Sequence, residues 1–194
     1  MAYSYILFPN DVIYPVHSND FLIPSLSFDV IGRISNMSAR ITLPKNALCT
    51  SDILHLVDEM EIPNFVGVKM RDELNGKSKR TECGIVNLNT SSEPGSHWIC
   101  FYRSGYERYF FDSFAEPPPV ELLRYLKSDV EFTQDLPVIK RNSLTVQHDQ
   151  SSECGALCLY VLKQLSLDVP FPDIIDFLDK RYHKLPTSPL IVMF

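Results

Sequence analysis

The sequence contains no long apolar run and no basic N-terminal leader. Proline and aspartate interrupt the apolar residues of the opening stretch MAYSYILFPNDVIYPV, so this stretch predicts neither a signal peptide nor a membrane span. We therefore expect an intracellular protein, in the cytoplasm or the nucleus, without a membrane partner.

A strongly basic charge balance is also absent. The formal net charge is -6, from 18 Lys and Arg against 24 Asp and Glu residues, which gives no reason to expect tight binding to nucleic acid. A local basic patch at Lys77, Lys79 and Arg80 is interpreted as a solvated loop, and nucleic-acid binding stays open.

Paired CxxC spacing is missing from the cysteine pattern. The chain has an odd number of cysteines, at positions 49, 83, 100, 154 and 158, which argues against a disulfide scaffold and a structural zinc site. A metal pair of Cys154 and Cys158 with His97 is conceivable, but the surrounding run is apolar and no fourth ligand is evident. We expect reduced thiols, no metal, and Cys158 as buried packing.

The composition is that of an ordinary globular domain, with 45% hydrophobic and 22% charged residues and no internal repeat. Four prolines break residues 1–50 into short apolar runs, and we treat this segment as an N-terminal extension of unknown role. Residues 51–194 have the length of one catalytic domain, which we expect to be a monomer.

Helical spacing and turn signals predict the elements of that domain. The expected helices cover residues 51–60 after a Thr50 or Ser51 cap, 120–129 with Pro119 in the first turn, 154–165 after a Ser151 or Ser152 cap, and 172–184. The expected strands lie at 83–88, in the two halves of 97–114, and at 138–147.

The segment HWICFYRSGYERYFFDSF, residues 97–114, predicts a β-hairpin. If Ser104 and Gly105 form its two-residue loop, the register places His97 directly opposite Asp112, within reach of a hydrogen bond. A one-residue bulge would shift this pairing. Three other acids, Asp129, Asp135 and Asp149, are available if the hairpin is misread.

A polar loop, VQHDQSSE, leads directly into the apolar run that begins at Cys154. A cysteine in the first turn of a helix lies near the positive end of the helix dipole and near unpaired backbone N–H groups, which favour the thiolate and can bind an oxyanion. Gly155 leaves room for a substrate, and Gln147 offers a side-chain donor, with Gln150 as its competitor. Taken alone, Cys154 would be interpreted as a buried structural cysteine.

The order of these motifs resembles that of the adenain and ubiquitin-like-protein protease group of cysteine peptidases. The matching segments are HW at 97–98, FDSF at 111–114 and Q-x6-CG at 147–155. The Gln-to-Cys spacing and the segment FVGVKMRDEL...ECGIVNL...GSHWICFY are most similar to adenain and the related proteases of Maverick/Polinton elements and allied DNA viruses. The resemblance covers residues 50–165 and does not extend to the N-terminal segment.

The resemblance implies an α+β papain-like or adenain-like fold with a central mixed sheet and helices packed around it. It also implies that Cys154 is the nucleophile, His97 the general base, Asp112 the orienting acid and Gln147 the oxyanion donor. Trp98 matches an aromatic residue that lies near the substrate channel in the family, where it admits only small residues such as glycine.

The implied function is cleavage of capsid or core precursor proteins of a virus or virus-like element, and the protein could be packaged in its particles. No cofactor is required for this chemistry. An exposed cysteine could bind an activating peptide through a disulfide, and a DNA cofactor is less expected because of the acidic balance. Removal of ubiquitin-like modifiers and an inactive binding module are the alternatives.

Two departures from the family pattern bear on the local structure. The acid is Asp, as in the ubiquitin-like-protein proteases, where adenain has Glu. FDSFA with Glu116 after it replaces the related FDSFG, which predicts an altered turn after Asp112.

Overall fold

A computed structural model of the chain describes residues 40–128, 138–184 and 189–193. Its strands are β1 (Arg40–Leu43), β2 (Phe65–Met70), β3 (Thr81–Asn87), β4 (Trp98–Ser104), β5 (Glu107–Phe111), β6 (Ile139–Arg141) and β7 (Leu190–Met193). Its helices are α1 (Thr50–Glu59), α2 (Val120–Leu126), α3 (Cys154–Ser166) and α4 (Phe171–Lys184), with a short 3-10 turn at Arg71–Glu73. Two of the alternative acids, Asp129 and Asp135, lie outside the described residues.

Five strands form one mixed sheet in the order β2-β3-β4-β5-β6. The outer pairs β2–β3 and β5–β6 are parallel, whereas β3–β4 and β4–β5 are antiparallel. Strands β1 and β7 form a separate antiparallel pair. The predicted α+β class, with a central mixed sheet and helices, is confirmed.

The two faces of the sheet pack against different helices. One face, which includes Ile85, Cys100 and Phe111, shares a core with α1, α3 and α4. The opposite face, which includes Val86 and Phe110, packs against α2. Neighbouring residues of a strand point to opposite faces, so apolar residues on both faces produce the continuous apolar runs seen in β3, β4 and β5.

Helix α3 is buried on nearly all sides. Its residues from Gly155 to Lys163 are buried without interruption, as expected for a helix whose run CGALCLYVL is apolar around its whole circumference. Helix α4 instead buries one stripe, which includes Phe171, Ile174 and Leu178. The central helix therefore holds its first residue, Cys154, in a fixed place relative to the sheet.

The hairpin register differs from the predicted one by two residues. Ser104 pairs with Glu107, so the loop is Gly105–Tyr106 rather than Ser104–Gly105. Gly105 adopts a φ of 62°, the left-handed region that glycine enters at the first loop position of a tight hairpin turn. A two-residue shift keeps each side chain on its original face, which is why the predicted contact between the strand ends survives.

Three predicted helix boundaries are corrected by the structure. Helix α3 has Glu153, not Ser151 or Ser152, at its N-cap, and the Glu153 carboxylate accepts a hydrogen bond from Arg181 on α4 at 2.6 Å. Helix α1 begins at Thr50 with Cys49 as its N-cap.

The third correction concerns α2, which ends at Leu126 and has Pro119 at its N-cap instead of in its first turn. The Ser128 hydroxyl donates to the Tyr125 carbonyl at 2.6 Å. This local bond competes with continuation of the helix.

Residues 40–43 lie within the segment assigned to the N-terminal extension. Their strand, β1, pairs with β7, and Ile41 and Leu43 are buried in the same core as α1 and α3. Residues 1–39 lie outside the described part, so the role of the extension stays a prediction. No helix in the described ranges combines the length and apolar character that crossing a bilayer requires.

Candidate active site

A cleft of about 930 Å³ lies where the open end of the β4–β5 hairpin meets the start of α3. The side chains singled out from the sequence share its lining: His97, Trp98, Asp112, Gln147 and Cys154. They come from four separate parts of the chain. The fold therefore brings together in one cleft the residues that the order of the sequence motifs predicts to act together.

His97 immediately precedes β4, and Asp112 immediately follows β5. The Nε2 atom of His97 lies 3.0 Å from Oδ1 of Asp112, and Asp112 is only 1% exposed. The Phe114 backbone N–H donates to the same carboxylate oxygen at 2.8 Å. The ring of Phe114 lies 5.1 Å from the His97 ring, in the position that the observed register assigns to it. His97 is thus held by a hydrogen bond along one edge and by an aromatic ring against its side.

The loop before His97 is shaped by the buried side chain of Asn87. Its Oδ1 accepts hydrogen bonds from the N–H groups of Asn89 at 3.0 Å and Ser96 at 3.1 Å. The Leu88 N–H donates to the His97 carbonyl at 3.0 Å. These bonds close the β3–β4 connection onto itself and place His97 at the rim of the sheet.

Cys154 is the first residue of α3 and is half-buried. Burial alone would raise the pKa of its thiol, but hydrogen bonding and charge interaction with His97, together with backbone N–H groups of Trp98 and Gly155, lower that pKa below its ordinary value. Because Nε2 of His97 bonds Asp112, Nδ1 is the ring nitrogen left for the hydrogen bond with the thiol.

Reciprocal effects act on His97. Burial lowers the pKa of the imidazole, but hydrogen bonds and charge interactions with Asp112 and Cys154 outweigh burial and raise that pKa to about 9. A lowered thiol pKa beside a raised imidazole pKa favours a thiolate–imidazolium pair at neutral pH. Such a pair can attack a carbonyl carbon and then protonate a leaving amine.

Gln147 is 3% exposed, and both ends of its amide are hydrogen-bonded. Its Nε2 donates to the Ser151 carbonyl at 2.8 Å, and its Oε1 accepts from the Ser113 hydroxyl at 2.7 Å. A carbonyl oxygen can only accept, so the Ser151 contact fixes which end of the amide is nitrogen. The second N–H of Nε2 has no hydrogen-bond partner among the described residues, and Gln147 lines the cleft. The competing Gln150 is exposed and does not line the cleft.

Trp98 and Gly155 lie beside Cys154. The Trp98 indole donates from Nε1 to the Leu48 carbonyl at 2.8 Å. A Cβ atom at Gly155 would lie 3.2 Å from atoms of both Leu48 and Trp98, so glycine allows these two side chains to approach α3 closely. Trp98 lines the cleft, whereas Gly155 does not. The substrate-binding roles of both residues stay predictions.

Two buried residues of the site were not found from the sequence. The Asn142 side chain brackets the Asp112 backbone, accepting from its N–H at 3.2 Å and donating to its carbonyl at 2.6 Å. Ser113 contacts Gln147 as described above. These bonds join residues 30 and 34 positions apart, and only the hydrogen-bonding capacity of the motifs FDSF and KRNS could have drawn attention to them.

The remaining cysteines divide by exposure. Cys83, Cys100 and Cys158 are buried, whereas Cys49 is exposed and lines the cleft. Among the described residues, no group of histidine, cysteine and carboxylate side chains has the arrangement of a metal site. Cys49 is therefore the thiol that a covalently attached peptide could use, a role that stays a prediction.

Acidic side chains surround the cleft. Glu73, Glu93, Glu116 and Asp149 are exposed along its lining, and the lining contains no lysine or arginine from the described ranges. Asp149, an alternative acid, is exposed, whereas Asp112 is the carboxylate bonded to His97. The negative potential of this rim disfavours phosphate groups within the cleft.

No protein-family model and no curated protein sequence match the chain. Several solved structures are similar in fold. ASFV pS273R protease is 15% identical with a TM-score of 0.48 over 71% of this chain and 67% of that chain; a second crystal structure of it is 20% identical, with a TM-score of 0.38 over 55% and 44%.

The SUMO protease Ulp1 gives further matches. A structure with its catalytic cysteine oxidised to a sulfinic acid is 16% identical, with a TM-score of 0.43 over 72% of this chain and 77% of that chain. Its C-terminal protease domain in complex with Smt3, the yeast orthologue of SUMO, is 14% identical, with a TM-score of 0.40 over 84% and 96%. At these identities, the similarity is one of fold.

Proposed function

We propose that this protein is a cysteine peptidase in which Cys154 is the nucleophile, His97 the general acid and base, and Asp112 the residue that orients His97. The observation that carries the proposal is the hydrogen bond of 3.0 Å between His97 and buried Asp112, next to a cysteine of lowered pKa at the start of a buried helix. Each of the three has a structural explanation alone, but their convergence in one cleft is typical of nucleophilic catalysis.

In this mechanism the Cys154 thiolate attacks the carbonyl carbon of the scissile peptide bond and forms a tetrahedral intermediate. The imidazolium of His97 gives its proton to the leaving amine as the C–N bond breaks, which leaves a thioester on Cys154. His97 then takes a proton from water as the water oxygen attacks the thioester, and the acid product leaves as the C–S bond breaks, which restores the Cys154 thiolate beside the His97 imidazolium. Asp112 stabilises the imidazolium and keeps Nδ1 directed at sulfur.

The negative charge of the intermediate requires donors near Cys154. The first backbone N–H groups of α3 have no partner within the helix, and the free N–H of Gln147 Nε2 is the proposed side-chain donor. Donors of this kind are worth about 100- to 1,000-fold in rate. Neither a metal nor another cofactor is needed for these steps.

The proposed substrates are capsid or core precursor polypeptides of a virus or virus-like element, cut at sites that contain glycine. Support comes from the motif order around His97, Asp112 and Cys154 and from Trp98, which lines the cleft and is the residue proposed to limit side-chain bulk. The proposed enzyme acts as a monomer inside cells or particles, and Cys49 is the proposed attachment point for an activating peptide.

The test is labelling of the purified full chain by a glycine-terminated, thiol-reactive peptide probe, with the modified residue identified by mass spectrometry. We expect rapid labelling at Cys154 that is lost in Cys154→Ala and strongly slowed in His97→Ala. Cys49→Ala, which removes the exposed thiol of the same cleft, should retain Cys154 labelling. Slow labelling spread over several cysteines would contradict the proposal and favour an inactive binding module.

Substrate class is tested separately on the same preparation. Glycine-containing peptides and precursor polypeptides are compared with a ubiquitin-like modifier joined to a lysine side chain. Cleavage of peptides and precursors is expected. Cleavage of the conjugate alone would replace the proposed substrate with a ubiquitin-like modifier and leave the proposed chemistry intact.

A further inference from the structure

Ser113 is fully buried directly behind the cleft, between the proposed orienting acid and the proposed oxyanion donor. Its exposure is 0%. Its hydroxyl donates to Gln147 Oε1 at 2.7 Å, and its carbonyl accepts from the Val146 N–H at 2.8 Å. Ser113 therefore holds the segment before Gln147 by the main chain and the Gln147 amide by the side chain.

A glutamine amide is useful as an oxyanion donor only if its nitrogen faces the substrate and its plane is held still. The Ser151 carbonyl selects the nitrogen end through its contact with Nε2. That single bond leaves the amide free to swing about the N–H···O direction. The second bond, from Ser113 to Oε1, removes this freedom and fixes the plane of an amide that lines the same cleft as Cys154.

We propose that Ser113 is a positioning residue of the active site, which orients the Gln147 amide for oxyanion binding. The inference rests on the proposed function, because it assigns Ser113 a part in the same reaction. Ser113 touches no reacting atom and acts only through Gln147. The dipeptide Asp112-Ser113 thereby supports both halves of the site, since Asp112 orients His97 while Ser113 orients Gln147.

The experiment is a double-mutant cycle on the full chain with a glycine-containing peptide substrate. We expect Ser113→Ala to lower kcat by about 10-fold with little change in KM, a part of the about 100- to 1,000-fold that loss of an oxyanion donor costs. In the Gln147→Ala background, Ser113→Ala should change kcat little further, because the group it orients is gone.

Alkylation of Cys154 by iodoacetamide distinguishes a loss of Gln147 orientation from a general loosening of the active site. This reaction forms no oxyanion, so its rate in Ser113→Ala should equal that of the wild type. Ser78→Ala is the matched control. Ser78 is also buried, with 5% exposure, and its hydroxyl accepts a hydrogen bond of 2.6 Å from Arg103. Ser78 does not line the cleft. Ser78→Ala should leave kcat unchanged. Ser113→Cys, which keeps a weaker donor and a similar shape, should have an intermediate kcat and covers the case in which Ser113→Ala fails to fold.

Equal losses of kcat in the wild-type and Gln147→Ala backgrounds would overturn the inference, as would an unchanged kcat in Ser113→Ala or an alkylation rate that falls in parallel. The Cys154→Ala variant shows whether the proposed function itself has failed. If the wild type hydrolyses no peptide beyond the Cys154→Ala background, the proposed function fails and this inference fails with it.

Discussion

Cys154 and Cys158 are the same residue type one turn apart on the same helix, yet the pKa values of their thiols are shifted in opposite directions. The pKa of Cys154 is lowered, whereas burial raises the pKa of Cys158 well above its usual range. Cys154 is half-buried at the cleft, and Cys158 is 0% exposed and donates from sulfur to the Trp98 carbonyl at 3.4 Å.

The difference shows that the partners of a thiol, together with its depth of burial, decide the direction in which its pKa moves. Burial opposes the thiolate at both positions. Only Cys154 faces His97 and the unpaired N–H groups of the first helical turn, whose favourable interactions fall off within that turn. A displacement of one turn, about 5.4 Å along the helix, is enough to turn a candidate nucleophile into a core residue.

Replacing each cysteine by alanine in turn should give the largest difference between the two positions. Cys154→Ala is expected to lower kcat/KM for a glycine-containing peptide by about 10⁴-fold or more, as loss of a nucleophile does in triad enzymes. Cys158→Ala should instead lower the free energy of unfolding by about 1 kcal/mol, because it removes a buried sulfur. Peptidase assays and thermal unfolding check the pair, and comparable loss of activity in folded Cys158→Ala would break the comparison.

His97→Ala should make Cys154 resemble Cys158. Without the imidazole, the hydrogen bond and charge that favour the thiolate are lost and burial prevails, so the pKa of Cys154 should rise. We expect kcat/KM to fall by about 10²- to 10⁴-fold, and iodoacetamide labelling of Cys154 at neutral pH to slow. Peptide mapping measures both thiols at once, and labelling of Cys154 that is unaffected by His97→Ala would contradict this explanation.

Asp112→Asn should reduce the difference between Cys154 and Cys158 less than His97→Ala does, because Asp112 acts on the Cys154 thiol only through His97. A misplaced imidazole should lower kcat/KM by about 100-fold. The hydrogen bond and charge of Asp112 help raise the pKa of His97 to about 9, so their loss should lower that pKa. The imidazolium would then be lost at a lower pH, and the alkaline limb of the pH–rate profile should move down from about pH 9. An alkaline limb that stays in place would argue against Asp112 as the partner of His97.

Ala115→Gly should have the smallest effect and alter neither thiol. Ala115 has a φ of 60° in the turn after Asp112, where an L-residue loses about 1–2 kcal/mol and glycine loses about 0.5–1 kcal/mol in chain entropy. The variant should therefore stabilise the fold by up to about 1.5 kcal/mol, measured by thermal unfolding, with labelling of Cys154 and Cys158 unchanged. A lower Tm would show that the turn does not strain alanine.

Local sequence signals predict the residues of the candidate site: a hairpin, a polar loop and a helix start. The contact of His97 with Asp112 was predicted from a hairpin loop placed one residue too early. The contact is present nonetheless, because the resulting two-residue register shift preserves side-chain faces and both residues lie at the open end, where diagonal neighbours are still close.

The supporting bonds could not be predicted in the same way. Asn142 and Ser113 act across 30 and 34 residues of sequence, and no local propensity encodes such a pairing. The predicted Ser151 or Ser152 cap is wrong, and Ser151 instead belongs to the turn before the helix: its N–H donates to the His148 carbonyl at 2.8 Å and its carbonyl accepts from Gln147. Here Glu153 stands at the N-cap, and its carboxylate accepts a hydrogen bond from Arg181 of α4, a tertiary contact 28 residues away in sequence.

The most direct test of a Cys154–His97 thiolate–imidazolium pair is the rate of iodoacetamide alkylation as a function of pH, resolved for Cys154 and Cys158 by mass spectrometry. The alkylation rate of Cys154 should rise at a pH below the ordinary thiol range and change a second time at about pH 9, where His97 loses its proton. Both steps should disappear in His97→Ala. Native Cys158 should stay unreactive throughout. A single rise at or above the ordinary thiol pKa, the same in wild type and His97→Ala, would show that Cys154 is not activated and would contradict the proposed catalytic pair.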